Sequence, residues 1–168
     1  MVGEQPGDRE DIEGEPFVGP AGRLLNEALT EAGIDRGAVY ITNTVKHFKW
    51  KPQGKRRLHQ KPNAAEISAC RPWLDSEIEV IKPELIICLG ATAAQALLGP
   101  AFRVTRQRGE FIRQPGLPLA MATVHPSSIL RAANEQSRQF EMEAFISDLR
   151  RAAERLKVRS GSAPEPAP

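Results

Sequence analysis

Several things are scarce in this chain of 168 residues. Cysteine occurs only as Cys70 and Cys88, too few for a disulfide framework, which leaves packing, redox chemistry or metal ligation for both. No apolar run approaches the ~20 residues of a membrane span. No charged-then-apolar leader of the secretory kind is seen either, so the default compartment is the cytoplasm and no membrane partner is expected. Acid is missing from one stretch in particular: residues 46–61 hold seven Lys or Arg and no Asp or Glu.

What is present is a separation of charge that the net value of +2 conceals. Residues 1–35 carry nine acids (Glu4, Asp8, Glu10, Asp11, Glu13, Glu15, Glu27, Glu31, Asp35) against Arg9 and Arg23. An uninterrupted basic stretch is costly to keep compact by itself, and the usual compensation is a polyanion. Phe48 and Trp50 lie between the lysines and offer faces on which bases stack. The competing reading is a solvated basic surface.

At this length one domain suffices, able to bury roughly two-thirds of its unfolded surface. Residues 39–42, 85–89 and 119–123 read as short, mostly apolar strands of a buried parallel sheet. Helices alternate with them. The first spans about 20–32, with Pro20 at its opening, a stripe of Leu24, Leu25, Ala28, Leu29 and Ala32, and Gly33 as stop signal. The second begins at Asn63 with Glu66 three residues on, resembling a capping box, and carries Ile67, Cys70, Leu74, Ile78 and Ile81 on one side. An alanine-rich helix over 91–98 ends at Gly99, and a last helix covers about 135–156. Residues 104–112 read as a hairpin-like excursion. The alternation predicts an α/β fold, a three-layer α/β/α sandwich around a four-stranded, mainly parallel sheet whose first strand is cut short. One domain is expected over 1–157 and a disordered tail over 158–168, where "SGSAPEPAP" is compositionally unable to build a core.

Ligands of an open parallel sheet bind where loops leave the carboxyl ends of its strands. Four such segments stand out. "GEQPGDREDIEGEPFVG" (3–19) has glycines and a proline that bring backbone close to a ligand. "TNTVKH" (42–47) places Asn43 at a strand end, where its amide both donates and accepts. "GKRRLHQKP" (54–62) sets Lys55, Arg56, Arg57 and Lys61 around His59. "VHPSSILR" (124–131) puts His125 before a helix whose Ser127 and Ser128 suit a phosphate.

In that order, "GEQPGD", "PFVGPAG", "ITNTVKH" and "HPSSILR" resemble the family 4 branch of the uracil-DNA glycosylase superfamily, and "GKRRLHQKP" resembles the loop of its UdgX subgroup. The resemblance runs from Met1 to about Leu156. It implies a fold of the uracil-DNA glycosylase type and a DNA substrate carrying uracil, single-stranded by preference, acted on by a monomer.

The roles it implies can be set against physical need. A glycosylase takes the base out of the stack and reads its edge in a tight pocket. Asn43 matches the base-reading asparagine, with a donor and acceptor complementary to uracil O4 and N3–H. A buried amide left unpaired by the wrong base supports discrimination of about 10⁴-fold. Phe17 matches the aromatic that stacks on the flipped base, and Gln5 with its neighbouring backbone is expected to hold O2. His125 matches the histidine that stabilises the departing uracil anion, while Glu4 or Asp8 stabilises the sugar cation or orients a nucleophile. Water is that nucleophile in an ordinary glycosylase. In the UdgX subgroup the loop histidine attacks C1′ instead and stays attached. His59 is the match, and the flanking cations favour its neutral, nucleophilic form. The same cations, Lys55, Arg56, Arg57 and Lys61, with Ser127 and Ser128, are expected to grip phosphates. A conventional, hydrolytic glycosylase and a DNA-binding module without chemistry are the alternatives.

The resemblance also implies a [4Fe-4S] cluster, whose first two ligands are a cysteine pair preceding the first motif. The chain starts inside that motif's strand and lacks the pair. Cys70 matches one remaining ligand position, and His47 stands where a cysteine is usual, an imidazole being an acceptable substitute. Two ligands do not hold a cluster, so an incomplete site is expected. Cys88 reads as a buried strand residue.

Overall fold

The computed structural model describes residues 1–160, with side chains as far as Lys157. The tail read over 158–168 lies outside the described residues apart from the end of the last helix, which reaches Ser160.

Four short parallel strands form the centre. They are β1 (Val2–Gly3), β2 (Thr42–Asn43), β5 (Leu85–Leu89) and β6 (Leu119–Thr123), in the order β2-β1-β5-β6. A separate antiparallel pair, β3 (Trp50–Gln53) and β4 (Arg56–His59), stands outside this sheet. The helices are α1 (Asp8–Glu13), α2 (Pro20–Glu31), α3 (Ala64–Ile81), α4 (Ala91–Leu98), α5 (Val104–Gln107), α6 (Pro126–Leu130) and α7 (Glu135–Ser160).

The two apolar runs make the spine of the sheet. β5 and β6 pair over five residues, from Leu85 with Leu119 to Leu89 with Thr123. Successive side chains of a strand point to opposite faces, so Ile87, Leu89 and Met121 meet Leu25, Leu29, Phe145 and Leu149 of α2 and α7 on one side. Ile86, Cys88, Ala120 and Ala122 meet Leu74, Ala94 and Leu97 of α3 and α4 on the other. This is the expected three-layer sandwich, buried on both faces as parallel sheets are. No helix among the described residues is long and apolar enough to cross a membrane.

Local signals explain the helix ends. Pro20 occupies the first turn of α2, and the Gly19 amide before it donates to Glu10 Oε1 at 2.9 Å. The capping box of α3 is complete: Glu66 N–H donates to Asn63 Oδ1 at 2.9 Å, and Asn63 N–H to Glu66 Oε2 at 2.7 Å. Of the stripe expected on α3, Cys70 and Leu74 are buried while Ile81 remains exposed.

Three expectations are corrected. The strand read over 39–42 is confined to Thr42–Asn43, because its neighbour β1 begins at Val2; ahead of it the Met1 amine donates to the Tyr40 carbonyl, and the Val39 carbonyl is taken by Arg36. The excursion over 104–112 is a single helical turn, α5, followed by one antiparallel bridge between Ile112 and Ala120. The basic stretch read as a loop is the β3–β4 hairpin, turning at Gly54 in a left-handed conformation that glycine adopts without strain.

Candidate active site

The carboxyl ends of β1, β5 and β6 open onto a cavity of about 690 Å³. Its walls include Glu4 and Asp8 after β1, His59 and Lys61 from the hairpin, Thr92 at the start of α4, and His125 and Ser127 after β6. Three of the four sequence motifs therefore meet there. The fourth supplies Asn43, which lies at the end of β2 and lines a separate recess with Glu10, Thr42 and Lys46.

Glu4 is the hub. One carboxylate oxygen accepts a hydrogen bond from Thr92 Oγ1, and the other lies 3.2 Å from His59 Nε2. His59 is the last residue of β4 and its side chain is 50% exposed, leaving the ring open to the cavity. A carboxylate so placed accepts the proton of the imidazole nitrogen facing it.

The hairpin that carries His59 is tied down at both ends. Gln5 is buried, and its Nε2 donates to the carbonyls of Lys49 at 3.3 Å and Gln60 at 3.1 Å, the residues flanking the two strands. Its Oε1 accepts from Lys49 N–H at 3.4 Å. The side chain expected to hold uracil O2 is thus committed to the hairpin. Farther along, Arg57 donates to Asp8 at 2.5 Å and to Asp11 at 2.6 Å, docking β4 onto α1. These acids hold the Arg57 guanidinium above its already high pKa.

Part of the charge separation in the sequence is therefore compensated within the fold. Lys46 pairs with Glu77 and Lys49 with Glu66, whereas Lys51, Lys55, Arg56 and Lys61 have no acidic partner among the described residues and are exposed. The expectation for Phe48 is altered in the same way, whereas Trp50 stays 43% exposed. Phe48 is buried, and the Arg57 guanidinium lies 5.3 Å from its ring and 5.6 Å from that of Trp50. Those contacts brace the hairpin.

His125 caps α6. Its Nδ1 accepts from the Ser127 amide at 3.1 Å and lies 2.8 Å from Ser127 Oγ, while Ser128 Oγ donates to the His125 carbonyl. Both serines are thereby engaged with the histidine. Burial pushes this imidazole down to about 4, with Glu4 opposing and Arg131 and His59 reinforcing the shift. The ring is neutral at pH 7, and since Nδ1 accepts, its proton sits on Nε2.

Asn43 and Phe17 meet over Gly3. Were a Cβ present on Gly3, it would lie 2.4 Å from Asn43 Oδ1 and 2.8 Å from the Phe17 ring. Asn43 is buried and its Oδ1 has no hydrogen-bond partner, a state that costs about 1–3 kcal/mol until something donates to it. Phe17 has φ +58°, a left-handed conformation that costs an aromatic residue of order 1–3 kcal/mol and is typical of functional sites. Its ring centroid lies 5.7 Å from that of His125. An acceptor awaiting a donor, under a strained aromatic plate beside a neutral histidine, suits a planar heterocycle.

A family model described as the Uracil DNA glycosylase superfamily matches residues 1–150. The chain belongs to the uracil-DNA glycosylase superfamily. Its relatives include a Type-4 uracil-DNA glycosylase of Thermotoga maritima, 41% identical over 144 residues that cover 85% of this chain and 71% of the relative. Another, of Pyrobaculum aerophilum, is 41% identical over 138 residues, covering 78% and 67%. A third, of Archaeoglobus fulgidus, is 38% identical over 137 residues, covering 77% and 65%.

The cluster implied by family resemblance does not fit the described residues. His47 Nδ1 and Cys70 Sγ are brought together, 3.8 Å apart, but among the described residues no group of three or more His, Cys, Asp or Glu could hold a metal ion. Cys88 is buried in the sheet and its thiol is pushed up to about 12 by burial, as a packing residue would be. Two donors are half of what a [4Fe-4S] cluster takes.

Several partners in this site escaped the sequence. Thr92 orients Glu4, Glu10 caps α2, and Gly3 makes room for Asn43 and Phe17. The glycine beginning "GEQPG" was the one local signal; the other contacts join residues far apart in the chain.

Proposed function

We propose that the protein excises uracil from DNA and that His59 captures the sugar left behind. The observation that carries this is the contact between His59 and Glu4 inside the cavity that also holds His125.

The base is read by Asn43 and stacked on Phe17. As the C1′–N1 bond breaks, its electron pair leaves with uracil, and the negative charge spreads to O2. The Nε2–H of neutral His125 donates to that oxygen, a preorganised stabilisation commonly worth about 3–4 kcal/mol. The cation remaining at C1′ takes the lone pair of an imidazole nitrogen of His59, forming a C–N bond. The proton on the other ring nitrogen passes to Glu4, so the ring ends neutral and the charge balances. A ring nitrogen on C1′ is a poor leaving group once uracil has gone, and each molecule is consumed with its lesion.

The partner in this reading is uracil-containing, single-stranded DNA, bound by a monomer. The free cations Lys51, Lys55, Arg56 and Lys61 belong to one hairpin and its exit, enough to follow one backbone.

A second reading is favoured by the names of the relatives, which are Type-4 uracil-DNA glycosylases. In it Glu4 orients water, His59 contacts the substrate, and the protein turns over. The two separate in one experiment. Protein mixed with a single-stranded oligonucleotide bearing one deoxyuridine gives, on the first reading, a protein–DNA band that survives SDS and heating. Free abasic DNA with no such band leaves the second. Salt-sensitive binding without uracil release removes both.

A further inference from the structure

Lys46 lies in the basic stretch, yet its ammonium is turned inward. Nζ is 2.8 Å from Thr42 Oγ1, 2.8 Å from the carbonyl oxygen of Asn43 and 2.7 Å from Glu77 Oε2. An ammonium has three protons to donate, and all three are used. Nothing is left for a phosphate. Lys46, like Asn43, is absent from the walls of the cavity formed by Glu4, His59 and His125, and the two residues line one separate recess.

The groups it holds belong to the end of β2. Thr42 and Asn43 are the whole of that strand, and Glu77 lies on α3, so the ammonium pins the last peptide of β2 to the helix behind it. Asn43 has to be held by its backbone. Its Oδ1 has no partner of its own, and it meets the Phe17 ring over the bare backbone of Gly3. A short amide offers the correct donor and acceptor to uracil only at one depth and tilt; displaced, it loses both contacts together.

We propose that Lys46 is a positioning residue for base recognition: it fixes where the Asn43 amide meets the flipped base, and through that contact sets the preference for uracil. This rests on Asn43 as the base reader, argued above.

The test is the single-turnover rate of uracil release, with protein in excess over a deoxyuridine oligonucleotide, for the full chain and for Lys46→Met, Asn43→Ala and the double variant. Lys46→Met should slow release by about 10- to 100-fold, the cost of misplacing a recognition group by an ångström or less. In the Asn43→Ala background the same change should cost less than about twofold, since a residue acting through Asn43 has nothing left to position. Thr42→Val removes one of the ammonium's acceptors without altering its charge; it should slow release several-fold, and again be silent beside Asn43→Ala. It also keeps the test open if Lys46→Met folds poorly. The salt dependence of DNA binding should not change in Lys46→Met, whereas loss of a phosphate contact would lower its slope by about one.

Equal slowing in both backgrounds, or a reduced salt slope with an unchanged release rate, overturns the role of Lys46. If the unaltered chain releases no uracil, or Asn43→Ala costs nothing, the base-reading assignment has failed and this inference falls with it; those two proteins alone decide that.

Discussion

His59 Nε2 and Glu4 Oε1 lie 3.2 Å apart, joining the hairpin to the mouth of the parallel sheet. This contact separates capture of the sugar from departure of the base. His59→Ala should abolish the SDS-stable adduct while uracil is still released, because Asn43, Phe17 and His125 are untouched and water reaches C1′ through the opened space. Glu4→Gln keeps the shape but cannot accept the proton, and should slow adduct formation by about 10²–10⁴-fold, the usual worth of a general base. Both are read by quantifying free uracil and shifted protein in the same time course. A cross-link persisting at its original rate in His59→Ala would remove His59 from the chemistry.

Gln5 bears on the same capture from the hairpin's base. In Gln5→Ala the half-buried Gln60 carbonyl loses this donor, while the Lys49 carbonyl keeps the Gln60 amide, at a cost of about 1 kcal/mol. Denaturant unfolding should report that loss, and amide exchange in residues 50–59 should quicken. The adduct should form more slowly relative to uracil release, since the hairpin now wanders while the base pocket does not. Unchanged exchange protection across the hairpin would contradict this role.

The elements read correctly from sequence are those whose cause is local. β5 and β6 are continuous apolar runs, α2 opens on Pro20, and the Asn63–Glu66 capping box closes within four residues. The hairpin was hidden for a physical reason. β3 is exposed at all four residues, so no alternation of apolar and polar side chains marks it; it is held by Gln5 and by Arg57 on Phe48, Trp50, Asp8 and Asp11. The six-residue α1 buries nothing and left no apolar pattern. Within the site, His59, Glu4 and His125 were named from their motifs and the fold brings them together. Gln5 and Arg57 were assigned to ligand and found supporting the hairpin, because a long-range hydrogen bond has no signature in neighbouring residues.

His125 supplies the pH dependence. Its folded value, about 4, lies below the ordinary 6.5 because burial disfavours the charged ring. Between these values the unfolded chain binds more protons than the folded one, so stability is fully present above about pH 6.5 and is lost as pH falls toward 4. Below 4 both states are protonated and the loss stops. The contribution at stake is at most about 3 kcal/mol. Comparing the unfolding free energy of the unaltered chain with that of His125→Asn at pH 7.5 and 4.5 should show the difference shrinking at the lower pH. A ring-proton NMR titration should place His125 well below 6. A midpoint near 6.5 would mean the ring is hydrated rather than held in the dry pocket from which it donates to the departing uracil.

Gly3 offers the sharpest test of where the base sits. A methyl group there would fall 2.4 Å from Asn43 Oδ1 and 2.8 Å from the Phe17 ring, closer than real Cβ contacts come. Gly3 is not among the residues with left-handed backbone, so alanine brings no strain of its own. Phe17, held in an unfavourable conformation, can yield by a small shift. Gly3→Ala should therefore fold, losing no more than about 1–3 kcal/mol to overpacking. The methyl displaces reader and plate together, and uracil release should fall by at least about 100-fold, as for other displacements of a recognition group by an ångström. DNA binding should retain its salt slope, because the hairpin cations are undisturbed. Normal uracil release from a folded Gly3→Ala protein would place the base somewhere other than between Asn43 and Phe17.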